Sequence, residues 1–216
     1  MSTWTWTFIK PECLSKKQIQ NLLEYAIKHT GGIYYSNYKK HGWDYELKDW
    51  LDMHREDYDY FVNECGVPKE NMTDEFLTND LRNRLDACEN KINCYNKVLN
   101  GKMTFSEMLE NTKETLKIFG DKKPSHNHDF YIIERNGELY VDIKFEWWRN
   151  QRCSDGEEFN TVDSLIEEVK KSHLLSYYDE DIKDWVKEDN LTPKLEQKLR
   201  DYYGAIGNSN FYVHFG

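Results

Sequence analysis

The sequence predicts an α+β fold in a single domain, residues 1–216: a small antiparallel sheet of about four strands packed against about seven helices. Three observations carry this. Strand-like alternation stands at both ends of the chain, an Asn-Gly hairpin stands in the middle, and helical periodicity fills the intervals between them. A mainly helical section is expected over residues 14–120, and the hairpin, further helices and a final strand over 128–216. Regular strand–helix alternation, the mark of a parallel α/β fold, is missing.

The first strand is TWTWTFI, in which Trp4, Trp6 and Phe8 alternate with Thr3, Thr5 and Thr7. The last is NFYVHF, residues 210–215, with Phe211, Val213 and Phe215 on one side. Their matching aromatic faces predict that the two strands share a sheet. Between them, DFYIIERNGELYVDIKFEWW at 129–148 folds about Asn136-Gly137. A two-residue turn there pairs Arg135 with Glu138, Ile133 with Tyr140, Tyr131 with Asp142 and Asp129 with Lys144. Phe130, Ile132, Leu139, Val141, Ile143, Phe145 and Trp147 then form the buried side, and the Asp129/Asp142/Lys144 side faces water.

Helix signals follow in order. Ser15 and Gln18 make a capping box ahead of Ile19, Leu22, Leu23, Ala26 and Ile27, with Gly31-Gly32 as the stop. A second helix is expected on Leu47, Trp50, Leu51, His54, Tyr58, Phe61, Val62 and Cys65. Thr73 caps a third whose apolar positions Leu77, Leu81, Leu85, Cys88, Ile92, Tyr95 and Leu99 recur every three or four residues. Thr104 and Glu107 open a fourth that runs to Phe119. Further helices are expected on Val162, Leu165, Ile166 and Val169, on Ile182, Trp185 and Val186, and on Leu195, Leu199 and Tyr202 between Pro193 and Gly204. The only internal echo is LKDWL at 47–51 against IKDWV at 182–186.

Composition limits the function. Seven Trp, fifteen Tyr and ten Phe are too many for a disordered acidic chain. No apolar run reaches the roughly 18–20 residues that span a bilayer, and the first residues lack the basic-then-apolar order of a signal peptide, so a cytoplasmic location without membrane association is expected. Cys13, Cys65, Cys88, Cys94 and Cys153 form no C-x-x-C pair and are expected as reduced thiols. A net charge of −10 argues against direct nucleic-acid binding, which depends on Lys and Arg displacing counterions from phosphates.

The hairpin carries one pattern that bears on chemistry. Asp129 followed by Asp142-x-Lys144 resembles the D…(D/E)-x-K motif of restriction-type nucleases. That resemblance implies a metal-dependent phosphodiesterase, in which Asp129 and Asp142 hold Mg²⁺ or Mn²⁺ and Lys144 steadies the attacking water or the phosphate. An ordinary Asp–Lys cross-strand pair on a solvated face explains the same residues. The letters His126-Asn127-His128 do not reproduce the HNH nuclease geometry, which spreads its residues over a strand, a loop and a helix. No phosphate-binding glycine loop or nucleophile elbow is present.

The acidic segments point elsewhere. Residues 43–64 place Asp49, Asp52, Glu56 and Asp57 beside Tyr58 and Tyr60, and residues 177–190 place Asp181 and Asp184 beside Trp185. Interleaved acids and aromatics can steer a basic protein partner by charge and anchor it by ring burial. The leading expectation is therefore a non-catalytic interaction protein, of the immunity, inhibitor or phage-encoded kind, with no cofactor. A small-ligand or carbohydrate-binding protein using exposed Trp and Tyr is the third reading.

Overall fold

A computed structural model describes residues 3–110, 130–143, 147–150, 158–179 and 181–215. Asp129, Lys144, the His126–His128 loop, Cys153 and the stretch from Thr112 to Phe119 lie outside the described residues. The fold is α+β. The chain divides into two compact units, one formed by Met1–Leu22 with Phe105–Gly216 and the other by Leu23–Thr104. Among the described residues no helix is long and apolar enough to cross a membrane.

The first unit is built on strand pairing. Strand β1 (Thr3–Ile9) leads through a 3-10 turn at Pro11–Cys13 into helix α1 (Lys16–His29), which carries the chain into the second unit. The capping box is reciprocal: the Ser15 N–H donates to Gln18 Oε1 at 2.9 Å and the Gln18 N–H to Ser15 Oγ at 3.2 Å. On its return the chain forms the short helix α5 (Phe105–Met108) and strands β2 (Ile132–Arg135), β3 (Glu138–Asp142), β4 (Trp147–Asn150) and β5 (Glu158–Phe159). Helix α6 (Val162–Val169), strands β6 (His173–Asp179) and β7 (Asp184–Glu188), helix α7 (Pro193–Ile206) and strand β8 (Phe211–Phe215) follow. The strands run β2-β3-β1-β4-β6-β7, with β8 paired to β1 and β5. Every pairing is antiparallel.

The Asn-Gly hairpin has the expected register. Asn136 and Gly137 both sit at positive φ, 55° and 81°, as a two-residue turn matching strand twist requires. Ile133 lies opposite Tyr140 and Arg135 opposite Glu138, and the Asp142 N–H donates to the Tyr131 carbonyl at 2.9 Å. The first and last strands are also neighbours, with Thr5 opposite Phe215 and Ile9 opposite Phe211.

In one respect the faces of the sheet depart from the expectation. Thr7 aligns with Val213 and Phe8 with Tyr212, so the aromatic rows of β1 and β8 project from opposite sides of the sheet. Both sides are buried. One holds Ile9, Val141, Phe211, Val213 and Phe215, all at 0–1% exposure, and the other holds a cluster of Phe8, Ile133 and Tyr140 against Trp6, Tyr131 and Tyr212. Thr7 of the threonine row is internal as well, fully buried and bonded to the Tyr203 hydroxyl at 2.8 Å.

Two further differences concern elements. Residues 182–186, expected as a helix, turn out of a loop into strand β7, which pairs along β6 from Leu175↔Glu188 to Asp179↔Asp184. The turn is closed by Asp179, whose carboxylate accepts from the Asp181 N–H at 2.9 Å, and by Lys183 at φ 54°. Tyr177 and Tyr178 on one arm and Trp185 and Val186 on the other then favour strand over helix. The LKDWL/IKDWV echo is therefore no duplication, because one copy lies in a helix and the other in a turn and strand.

The second unit is helical. Helices α2 (Gly32–His41), α3 (Trp43–Glu56) and α4 (Asp74–Leu99) enclose Tyr35, Leu81, Leu85 and Cys88, onto which Tyr34, Tyr38, Trp43, Leu47, Trp50 and Ile92 pack. Thr73 caps α4 as expected, accepting from the Phe76 N–H at 3.3 Å. The long helix expected over 47–65 is broken instead. It ends at Glu56, and a wide π-type turn at Tyr60–Glu64 follows. A ring stack through Trp50, His54 and Phe61, with centroids 4.4 and 5.0 Å apart, holds that bend.

Candidate functional site

Helix α3 sorts its side chains by the roughly 100° rotation of each helical residue. Trp43, Leu47 and Trp50 fall on the side that packs into the helical core. Tyr45, Asp49, Asp52, Met53 and Glu56 fall within a quarter-turn or so on the opposite side. Tyr45 and Met53 are exposed although large and apolar, and Asp49 and Glu56 are exposed beside them. Past the helix end Asp57, Tyr58, Asp59 and Tyr60 are exposed in succession, the last with 58% of its surface open.

Few cations balance this face. Arg55 is committed to Asp52 at 3.4 Å and to Asp74 at 2.5 Å, which leaves Lys48 as the other basic residue of the segment. Two arginines of neighbouring α4 lie over aromatic rings, Arg82 over Trp43 at 5.4 Å and Arg84 over Trp50 at 5.5 Å. Below the face sits Glu46, buried to 1% with Oε2 lacking a hydrogen-bond partner. Burial first, and then the charge of Asp49, raise its pKa above the usual carboxylate value.

The sequence signal named Asp49, Asp52, Glu56, Asp57, Tyr58 and Tyr60, of which all but the half-buried Asp52 are exposed. It missed Tyr45 and Met53, which the same 100° rotation would have added to the face. Asp181 and Asp184 belong to the other unit, in the β6–β7 turn and the start of β7. Both are exposed, beside Ile182 at 63% and Trp185 at 40% exposure. Asp179 is not a free acid of that patch, because Lys194 at 2.9 Å and the Asp181 N–H hold its carboxyl below the usual range.

The hairpin face corrects one expectation. Asp142 is 3% exposed and lies on the aromatic side of the sheet opposite Phe8. Asp142 is not wet, because β1 brings Phe8 across from it and Trp6 and Tyr212 pack on the same side; the curled sheet buries both sides. On the same side, burial pushes the Tyr140 hydroxyl up to about 12, and that group donates to the Ser209 carbonyl at 3.1 Å. Arg135 pairs with Glu158, and His214 Nδ1 stands 3.8 Å from Glu158. Desolvation, reinforced by Arg135, lowers the His214 pKa below 6.5 despite Glu158. Among the described residues, no group of three His, Cys, Asp or Glu side chains is placed to hold a metal ion.

A cavity of about 420 Å³ opens in the first unit between the Pro11–Cys13 turn, α5 and the start of β3. Leu109 and Leu139 line it with Glu12, Glu107, Glu110 and Glu138. Among the described residues no aromatic ring lines it. Compared with protein-family models, curated proteins and solved structures, the chain matches none of the three.

Proposed function

We propose that the chain is a non-catalytic binding protein that takes a basic protein partner on the outward face of α3 and the turn that follows it. One observation carries this reading: Tyr45, Met53, Tyr58 and Tyr60 are exposed in the midst of Asp49, Asp52, Glu56 and Asp57. Large apolar side chains left in water among like charges lose burial that a partner can restore. The acids supply long-range attraction to a cationic surface, and the rings supply contact area once it arrives. This is the division of labour by which acidic inhibitors and immunity proteins, as a class, neutralise basic targets.

The test is affinity capture from the source cell at low and high salt, with Tyr58→Ala/Tyr60→Ala and Asp49→Asn/Glu56→Gln/Asp57→Asn proteins run in parallel. A basic protein held at low salt should be released at high salt. Loss of a central ring costs on the order of 1–2 kcal/mol, so the tyrosine variant should bind roughly tenfold more weakly. Capture of no basic protein, or equal capture by all three proteins, refutes the reading.

A further inference from the structure

The β6–β7 hairpin supplies a second surface, independent of the helical face. Strand β7 ends the sheet order among the described residues, and Asp184, Trp185 and Lys187 are exposed along it. A strand at the end of a sheet offers its outward N–H and C=O groups to another chain. The register identifies which groups these are. The Trp185 N–H donates to the Asp184 carboxylate at 2.8 Å, a side-chain acceptor outside the β6–β7 ladder, so Trp185 turns its backbone donor outward. Antiparallel pairs alternate, and Lys187, two residues on, therefore does the same.

We propose that β7 is a docking edge for an extended segment of another protein in which basic and apolar residues alternate. Charge and pattern select this occupant. Asp184 and Glu188 lie on one side of the strand and Trp185 on the other. An incoming strand with that alternation sets its cations against the two carboxylates and its apolar side chains against the Trp185 ring. Lys194 does not compete for Asp184, because it is bonded to Asp179. Asp184 acts as a guard on the edge: its carboxylate occupies the Trp185 N–H until a cation on the incoming strand draws it away. A second copy that pairs Trp185 with Lys187 sets Asp184 against Glu188, and like charges across a pair are unfavourable.

The test is a titration of the whole ¹⁵N-labelled protein with an alternating Lys-Val peptide, followed by amide shifts. Perturbation should centre on Asp184–Glu188 and weaken as sodium chloride rises. The same peptide N-methylated at alternate residues cannot form the backbone ladder and should bind at least about tenfold more weakly, for the loss of two or so hydrogen bonds. This arm leaves the protein unaltered. Lys187→Pro removes an outward donor without touching one that β6 uses, and should weaken binding similarly. A Glu-Val peptide should not bind. The proposal is overturned by equal affinity for the N-methylated peptide, by shifts confined to residues away from β7, or by self-association through this edge that Lys187→Pro abolishes. None of these outcomes depends on the α3 face.

Discussion

Removing the hydroxyl of Tyr203 tests the statement that Thr7 of β1 lies inside the protein. Thr7 and Tyr203 are both fully buried and share a 2.8 Å hydrogen bond. Tyr203 remains well packed as phenylalanine, since its ring contacts Phe211 at 4.7 Å and Tyr202 at 5.1 Å. The cost of Tyr203→Phe is therefore that of leaving the Thr7 hydroxyl buried without this partner, about 1–3 kcal/mol. For a chain of this length that lowers Tm by roughly 2–12 °C, at 2–4 °C for each kcal/mol. Thr7→Val is nearly isosteric and removes the other half of the pair. The double variant should be more stable than the sum of the two single losses predicts, by about 1 kcal/mol or more. Urea and thermal unfolding of all four proteins complete the cycle. A Tyr203→Phe loss below about 0.5 kcal/mol, or strict additivity, would refute the buried pairing and with it the two-sided burial of the sheet.

Gly31 has φ 70°, and a Cβ there would stand 2.5 Å from Tyr35 Cβ and 2.6 Å from Cys88 Sγ; Gly31→Ala should cost about 2–5 kcal/mol from backbone strain plus overpacking. Gly32, also at positive φ but with open space around it, should cost only about 1–2 kcal/mol on the same change, and equal losses in thermal unfolding would show that the close approach is wrong. The lowered pKa of His214 means that the unfolded chain takes up its proton first as pH falls. Stability should thus decline from about pH 6.5 downward until the folded value is passed, and His214→Gln should remove that part of the slope in melts recorded between pH 7.5 and 5.

Local chemistry was legible wherever a few neighbouring residues decide the outcome. Asn136-Gly137 fixes its own hairpin, Ser15 with Gln18 and Thr73 fix helix starts, and the spacing of Leu77, Leu81, Leu85 and Cys88 fixes the buried stripe of α4. Residues whose state depends on distant partners were not legible. IKDWV has helical spacing, yet Tyr177 and Tyr178 on β6 give it a strand to pair with. Gly31-Gly32 reads as a stop, yet the chain turns back at once into α2, whose Tyr34, Tyr35 and Tyr38 carry no aliphatic periodicity. Asp142 alternates with apolar residues as a solvated strand position would. Only the arrival of β1 and β8 on its side of the sheet makes that position internal. The α3 face shows both behaviours, for its acids are plain in composition while the exposure of Tyr45 and Met53 depends on which side of the helix the core occupies.

The sheet-bearing unit is discontinuous along the chain, and that has a bearing on synthesis. Residues 23–104 form one uninterrupted stretch and can close their core as soon as they leave the ribosome. Strand β1, made before its partners, has to wait: β3 and β4 come more than a hundred residues later, and β8, which covers it from Thr5 to Ile9, is translated after all of them. Until then Trp6 and Phe8 travel without their cover, so the nascent chain carries an adhesive segment from the synthesis of β1 until β8 has left the ribosome.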